Sequence, residues 1–177
     1  MSLEMCFWLV SDEELSTLRH RRGAFKTFSQ STGSLRGMLS SPLVVDHRNV
    51  VLFHFLLNGT KKGASGSLRI FETWFRPYRC ADLLVDDLAF ALNSADTLAL
   101  LTRLQALPNT EVRARARAFA EMRARRERLW SWLRSPRTPV VAAEDDDYVD
   151  LEDRFANLRE ICERAVAGKC GLIWTPG

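Results

Sequence analysis

Lysines and glycines lying between an apolar run and a helix-like one are the residues of this chain best suited to holding a phosphate. The stretch is NGTKKGASGSLRIFE, Asn58 to Glu72, and the run before it is VVLFHFLL, Val50 to Leu57. Read as a strand of a parallel sheet feeding a helix, the segment would present free backbone N–H groups and the positive end of a helix dipole. Gly59, Gly63 and Gly66 would allow close backbone approach, and Lys61 and Lys62 would add two full charges. A diphosphate suits such a place. The strict patterns are not met: GxGxxG is absent, and both lysines precede the last glycine, whereas a P-loop needs its lysine after it. The plainer alternative is a hairpin turn at Asn58-Gly59 with the lysines keeping the loop in water. Asn58-Gly59-Thr60 is also a glycosylation sequon, of little weight without a signal sequence.

A second chemistry is carried by arginines. Arg113, Arg115, Arg117, Arg123, Arg125, Arg126, Arg128 and Arg134 set eight positive charges against Glu111, Glu121 and Glu127, a surplus of five, with Trp130 and Trp132 interleaved. Such a helix could track an acidic glycan or a phosphate backbone. Solvated arginines on the outside of an amphipathic helix are the commoner explanation, and nucleic acid is the least favoured partner.

The remaining candidates are weaker. His20, His47 and His54 stand singly, and His54, inside an apolar run, reads as a satisfied core histidine. Asp145-Asp146-Asp147 offers the D-x-D of metal-dependent transferases but follows a Pro-rich joint, where a solvated acidic linker is expected. Asp86 and Asp87 could pair as acid and base, or simply make a turn. Cys6, Cys80, Cys162 and Cys170 have no metal spacing; buried free thiols are preferred to a disulfide between Cys162 and Cys170. No metal site and no catalytic residue is assigned.

The elements that must position these groups fit one core or one core with an appendage, in 177 residues. With 46% hydrophobic and 27% charged residues the composition is that of an ordinary globular protein, and a net charge of +3 does not by itself argue for nucleic acid. No apolar window is long enough to span a bilayer, and CFWLV is too short for a signal peptide, so no membrane segment or targeting signal is expected. SDEELSTLRHRR, with Ser11 at the N-cap, reads as a helix. LVVDHRNVVLFHFLL supplies one or two strands broken at Asp46 to Asn49, and SLRIFETWF a helix stopped by Pro77. Leu88 to Leu92 alternates as a strand. Helices follow over SADTLALLTRLQALP, capped by Ser94 or Asp96, over 111–134, and over 148–167, closed by Gly168. Strands and helices in this order predict an α/β fold with a partial, Rossmann-like parallel sheet flanked by helices and a helix-rich C-terminal half. The expected organisation is an incomplete α/β domain over 1–134, a Pro-rich and acidic linker over 135–147, and a C-terminal helix and tail over 148–177.

From SLRIFE onward the sequence resembles the C-terminal lobe of the exostosin-like glycosyltransferase family. That lobe carries S-x-R-x-F-E opening a helix, a Gly-Cys-x-Pro-Val strand, P-[FY] followed by a D-hydrophobic-D strand, L-x-x-L-x-x-[LI]-P, and a basic helix ending near an aromatic. Here stand Ser67-Leu68-Arg69-Ile70-Phe71-Glu72, Pro77-Tyr78, DLLVDDLAFAL, LLTRLQALP and a basic helix closing on Leu129-Trp130, in order over about 70 residues, 65 to 134. RNVVLFHF looks like the family's buried strand after a basic turn. The Gly-Cys-x-Pro-Val strand is missing.

The resemblance implies a GT-B architecture and transfer of a sugar from a nucleotide diphosphate to a glycan acceptor, with a UDP-sugar as substrate and no certain cofactor. Arg69 would offset the diphosphate charge and Glu72 would accept hydrogen bonds from ribose or sugar hydroxyls. With the loop, the implied donor-binding set is Lys61, Lys62, Gly66, Ser67, Arg69 and Glu72. The family resides in the Golgi or secretory pathway; a copy without its signal would be cytoplasmic. Without the missing strand and the acceptor lobe, full activity is not expected of this chain alone, which reads as a fragment or divergent copy. The alternative, of a different class, is a non-catalytic helical module that binds a polyanion through 111–134.

Overall fold

The computed structural model describes residues 2–21, 23–31, 43–46, 50–61, 64–86, 89–131 and 145–176. For 2–4, 30–31, 43–46, 126–131, 145–150 and 176 only the backbone is described. The chain order is β1 (Ser2–Val10), α1 (Asp12–His20), α2 (Ala24–Ser31), β2 (Leu43–Asp46), α3 (Val50–Asn58), a 3-10 turn (Gly66–Arg69), α4 (Glu72–Phe75) and a second 3-10 turn (Pro77–Arg79). Next come β3 (Leu84–Asp86), β4 (Ala89–Leu92), α5 (Ser94–Gln105), α6 (Asn109–Ser131), α7 (Asp145–Ala167) and β5 (Gly171–Pro176).

The fold is mixed α and β, built on a five-stranded sheet of order β2-β1-β5-β4-β3. Every neighbouring pair is antiparallel, which corrects the expected parallel sheet. The misreading has a physical origin. Both faces of this sheet are covered, so its strands are apolar on both sides, a pattern usually met in parallel sheets. Met5, Phe7, Phe90, Leu92, Leu172 and Trp174 face the larger core, which includes residues of α3, α5, α6 and α7. Trp8, Val10, Ala91 and Ile173 face a smaller one with Leu15 and Leu18 of α1 and half-buried Phe25 and Phe28 of α2. The period-2 alternation is present but both of its phases are hydrophobic.

Residues 50–57 are the second correction, since they form α3 rather than a strand. Val50, Phe53, His54, Phe55, Leu56 and Leu57 are all buried, so this helix is apolar around most of its circumference. Periodicity cannot separate such a helix from a buried strand. Phe53 lies against Phe71 at 5.5 Å and Phe155 at 5.6 Å, joining α3 to the segment before α4 and to α7. The continuous helix expected over SLRIFETWF is instead a 3-10 turn and the single-turn α4, ending before Pro77 as expected.

The segment 148–177, set apart in the sequence as a helix and tail, reaches the middle of the sheet. β5 pairs β1 from Met5↔Pro176 to Val10↔Gly171, and β4 from Phe90↔Trp174 to Leu92↔Leu172. Trp174 is fully buried between Phe7 and Phe90, with ring centroids 6.3 and 6.1 Å away, and its Nε1 donates to Thr73 Oγ1 at 3.3 Å. A Cβ on Gly171 would sit 2.1 Å from the Leu92 carbonyl oxygen, so only glycine admits the close approach of β5 to β4. Asp145 to Asp147, read as linker, have helical backbone at the start of α7. At its other end Lys169, not Gly168, takes the left-handed conformation with φ 53°.

Candidate functional site

The loop singled out for an anion begins at the wrong end of a helix. Gly59, φ 71°, closes α3 by donating its N–H to Phe55 O at 2.7 Å. The groups exposed there are therefore carbonyls, the negative end of a helix dipole, where a phosphate is disfavoured. Two arginines satisfy them. Arg115 Nη1 donates to Leu56 O at 2.8 Å and Leu57 O at 3.2 Å, and Arg103 Nε donates to Leu57 O at 3.2 Å. Arg115 is itself held by Glu111, 2.8 Å away one turn earlier on α6.

Of the expected donor-binding residues that are described, Ser67 and Glu72 are buried, and Lys61 and Arg69 are engaged within the chain. Lys61 stacks its ammonium over the Phe119 ring of α6 at 4.8 Å; Lys62 lies outside the described residues. Gly66 is exposed with φ 54°, and Ser67 is buried. Arg69 is engaged by Asp82 and donates to Arg79 O at 2.6 Å, which ties the 3-10 turn to the segment ahead of β3. The Arg69 guanidinium holds the Asp82 carboxyl below its usual range. Glu72 is buried, 3.8 Å from Arg76 Nη1.

Beside Glu72 lies a histidine that the sequence treats as core. His54 is fully buried, its ring edge-on to Phe75 at 5.5 Å, and Asn58 Nδ2 stands 3.4 Å from its Nδ1. Burial holds its imidazole neutral below the usual histidine range, opposed by Glu72 and assisted by Arg76. Its Nε2 has no hydrogen-bond partner among the described residues. The expectation of a core histidine thus holds for burial but not for satisfaction.

The basic helix changes character along its length. Val112 and Ala116 are buried, Arg113 pairs in a bidentate fashion with Glu152 of α7, its Nη2 reaching Oε2 at 3.0 Å, and Phe119 meets Phe55 at 5.4 Å. Arg113 holds the Glu152 carboxyl below its usual range. Beyond Ala116 no described residue of α6 is buried, and Arg117, Arg123 and Arg125 are exposed. The side chains of Arg126, Arg128 and Trp130 are not described, and Trp132 and Arg134 lie outside the described residues.

Other candidates resolve simply. Among the described residues no three His, Cys, Asp or Glu side chains group to hold a metal ion. His47 and Asp87 lie outside them, and Asp86 sits on β3. The four cysteines are free thiols. Burial pushes the Cys80 thiol up to about 11 and Cys162 up to about 12, so neither is a nucleophile near neutral pH. Among the described residues no helix is long and apolar enough to cross a membrane. No family model matches the chain, and neither a curated protein nor a solved structure matches it significantly.

Proposed function

We propose that the chain is a non-catalytic interaction module that binds a polyanion, an acidic glycan or a nucleic acid, through α6. The observation that supports this is the exposure of the helix beyond Ala116, where Arg117, Arg123 and Arg125 all face solvent. Successive helical residues turn by about 100°, so these three positions are spread around the helix rather than gathered in one stripe. A helix charged on several sides suits a groove that it enters or a flexible chain that wraps it. Arg113 and Arg115 act differently, because their contacts with Glu152 and with the α3 carbonyls fix the base from which the exposed part extends.

The test uses a labelled single-stranded oligonucleotide and a labelled sulfated oligosaccharide, with fluorescence anisotropy read across a salt series. Binding of either is expected, falling steeply with salt, weakened at least tenfold by Arg117→Ala, Arg123→Ala and Arg125→Ala together, and unaffected by Arg69→Ala. The ligand that binds more tightly identifies the partner class. Failure of both to bind at low salt, or affinity indifferent to the triple substitution, would count against the proposal.

A donor-binding role in an exostosin-like glycosyltransferase is a second reading. It is favoured by one observation: the strand, helix and basic helix of the resemblance occur in order as β4, α5 and α6. The family's GT-B lobe has parallel strands, so this reading rests on a local segment only. Its checks are calorimetric: weak UDP binding that Arg69→Ala or Glu72→Ala abolishes supports it, and no UDP binding at millimolar nucleotide ends it.

A further inference from the structure

We infer that His54 and Asn58 form an acid-sensitive latch that ties the end of α3 to the turn Gly66–Arg69, and that protonating the imidazole opens it. Asn58 Nδ2 lies 3.0 Å from the His54 carbonyl oxygen, 3.0 Å from that of Leu68, and 3.4 Å from His54 Nδ1. An atom facing two carbonyl oxygens is the amide nitrogen, not the amide oxygen. A hydrogen on the ring nitrogen beside it would oppose that amide nitrogen, so the placement favours a lone pair on Nδ1 and the proton of neutral His54 on Nε2. A second proton has only Nδ1 to occupy. It would set an imidazolium N–H against an amide N–H, two donors face to face where the imidazole is fully buried and the amide half-buried. Relief requires Asn58 to swing away, which surrenders the bond to Leu68.

The surroundings decide the direction. Among the described residues the charged groups facing the ring are Glu72 and Arg76 of α4, the first favouring the imidazolium and the second opposing it. The other residues of α3 bring no charge. Burial is the largest influence, so the folded protein keeps His54 neutral to lower pH than the unfolded chain does. Between those two values the unfolded chain binds the extra proton. The stability that His54 contributes is therefore present above the ordinary imidazole range and is lost as pH falls through that range to the lowered folded value. The latch governs the segment after α3, which includes the Lys61 contact on Phe119 and buried Ser67, Ile70 and Phe71. Acid should loosen that segment before the sheet.

The experiment is an NMR titration of the full chain from pH ~7.5 to ~5, reading the imidazole nitrogens, the Asn58 side-chain amide and hydrogen exchange of the backbone. Expected are the Nε2–H tautomer at neutral pH, and protection over 66–71 that falls at least tenfold in step with His54 protonation while β5 stays protected. In His54→Gln, which cannot titrate, protection over 66–71 should not change in that range. In Asn58→Asp, which places an acceptor at Nδ1, His54 should titrate at higher pH than in the parent. An Nδ1–H tautomer at neutral pH would overturn the latch. So would protection over 66–71 that is steady through the His54 titration, a reading the parent protein supplies even if a variant fails to fold.

Discussion

Helices α5 and α6 follow one another in the chain and are held in opposite ways. In its 12 residues α5 buries Thr97, Leu100, Leu101 and Leu104 against the sheet and α7. In its 23 residues α6 buries only Val112 and Ala116 among those whose side chains are described. Packing fixes α5 along its length. Polar contacts fix α6 in its first turns, through Arg113 on Glu152 and Arg115 on the α3 carbonyls. Among the residues whose side chains are described, α6 is long and charged yet contributes little to the core.

That contrast can be broken at several points. The largest effect is expected beneath α5, at Gly171, where a methyl group would collide with the Leu92 carbonyl. Gly171→Ala should cost about 3 kcal/mol or more and separate β5 from β4, read as a lowered urea midpoint and lost exchange protection in both strands. Next, Leu104→Ala removes a fully buried side chain of α5 and should cost about 2–4 kcal/mol by the same urea measurement. Arg115→Ala leaves the Leu56 and Leu57 carbonyls short of a donor, and about 1–2 kcal/mol is expected, with the exchange loss confined to the end of α3 and the first turns of α6. Smallest of all, substitution of Arg117, Arg123 and Arg125 by alanine should move the thermal midpoint hardly at all while weakening polyanion binding. A core-like loss of stability from that triple would erase the contrast.

How much of this was legible beforehand follows from where each element's information lies. α1 is written locally: Ser11 Oγ accepts from Glu14 N at 3.2 Å and Glu14 Oε2 accepts from Ser11 N at 2.9 Å, a reciprocal cap visible as S-x-x-E. α5, α6, α7 and β4 likewise carry their own periodicity. The cap of α5 shows the limit. Asn93 accepts from Asp96 N at 2.7 Å, while Ser94, one of the two candidates in the sequence, donates its N–H and hydroxyl to Asp12 at 2.8 and 2.6 Å, a partner 82 positions away. β1 and β5, the sheet's central pairing, escaped notice because CFWLV and GLIW are apolar in both phases, and only their mutual pairing defines them. The candidate site suffered from the same ambiguity. Once Val50 to Leu57 is a helix, Gly59 stands at a carbonyl end, and Lys61 and Arg69 are engaged by Phe119 and Asp82. The arginines of α6 could be listed from the sequence, but separating Arg113 and Arg115, which hold neighbouring elements, from exposed Arg117, Arg123 and Arg125 needed the packing.

The most direct test is a backbone NMR map of the full chain titrated separately with a short oligonucleotide and with a sulfated oligosaccharide. At least one of them is expected to shift amides along α6 beyond Ala116 while α5, β5 and residues 58–72 stay in place. Shifts gathered over 58–72 with α6 unmoved, or no shifts with either polyanion at low salt, would contradict it.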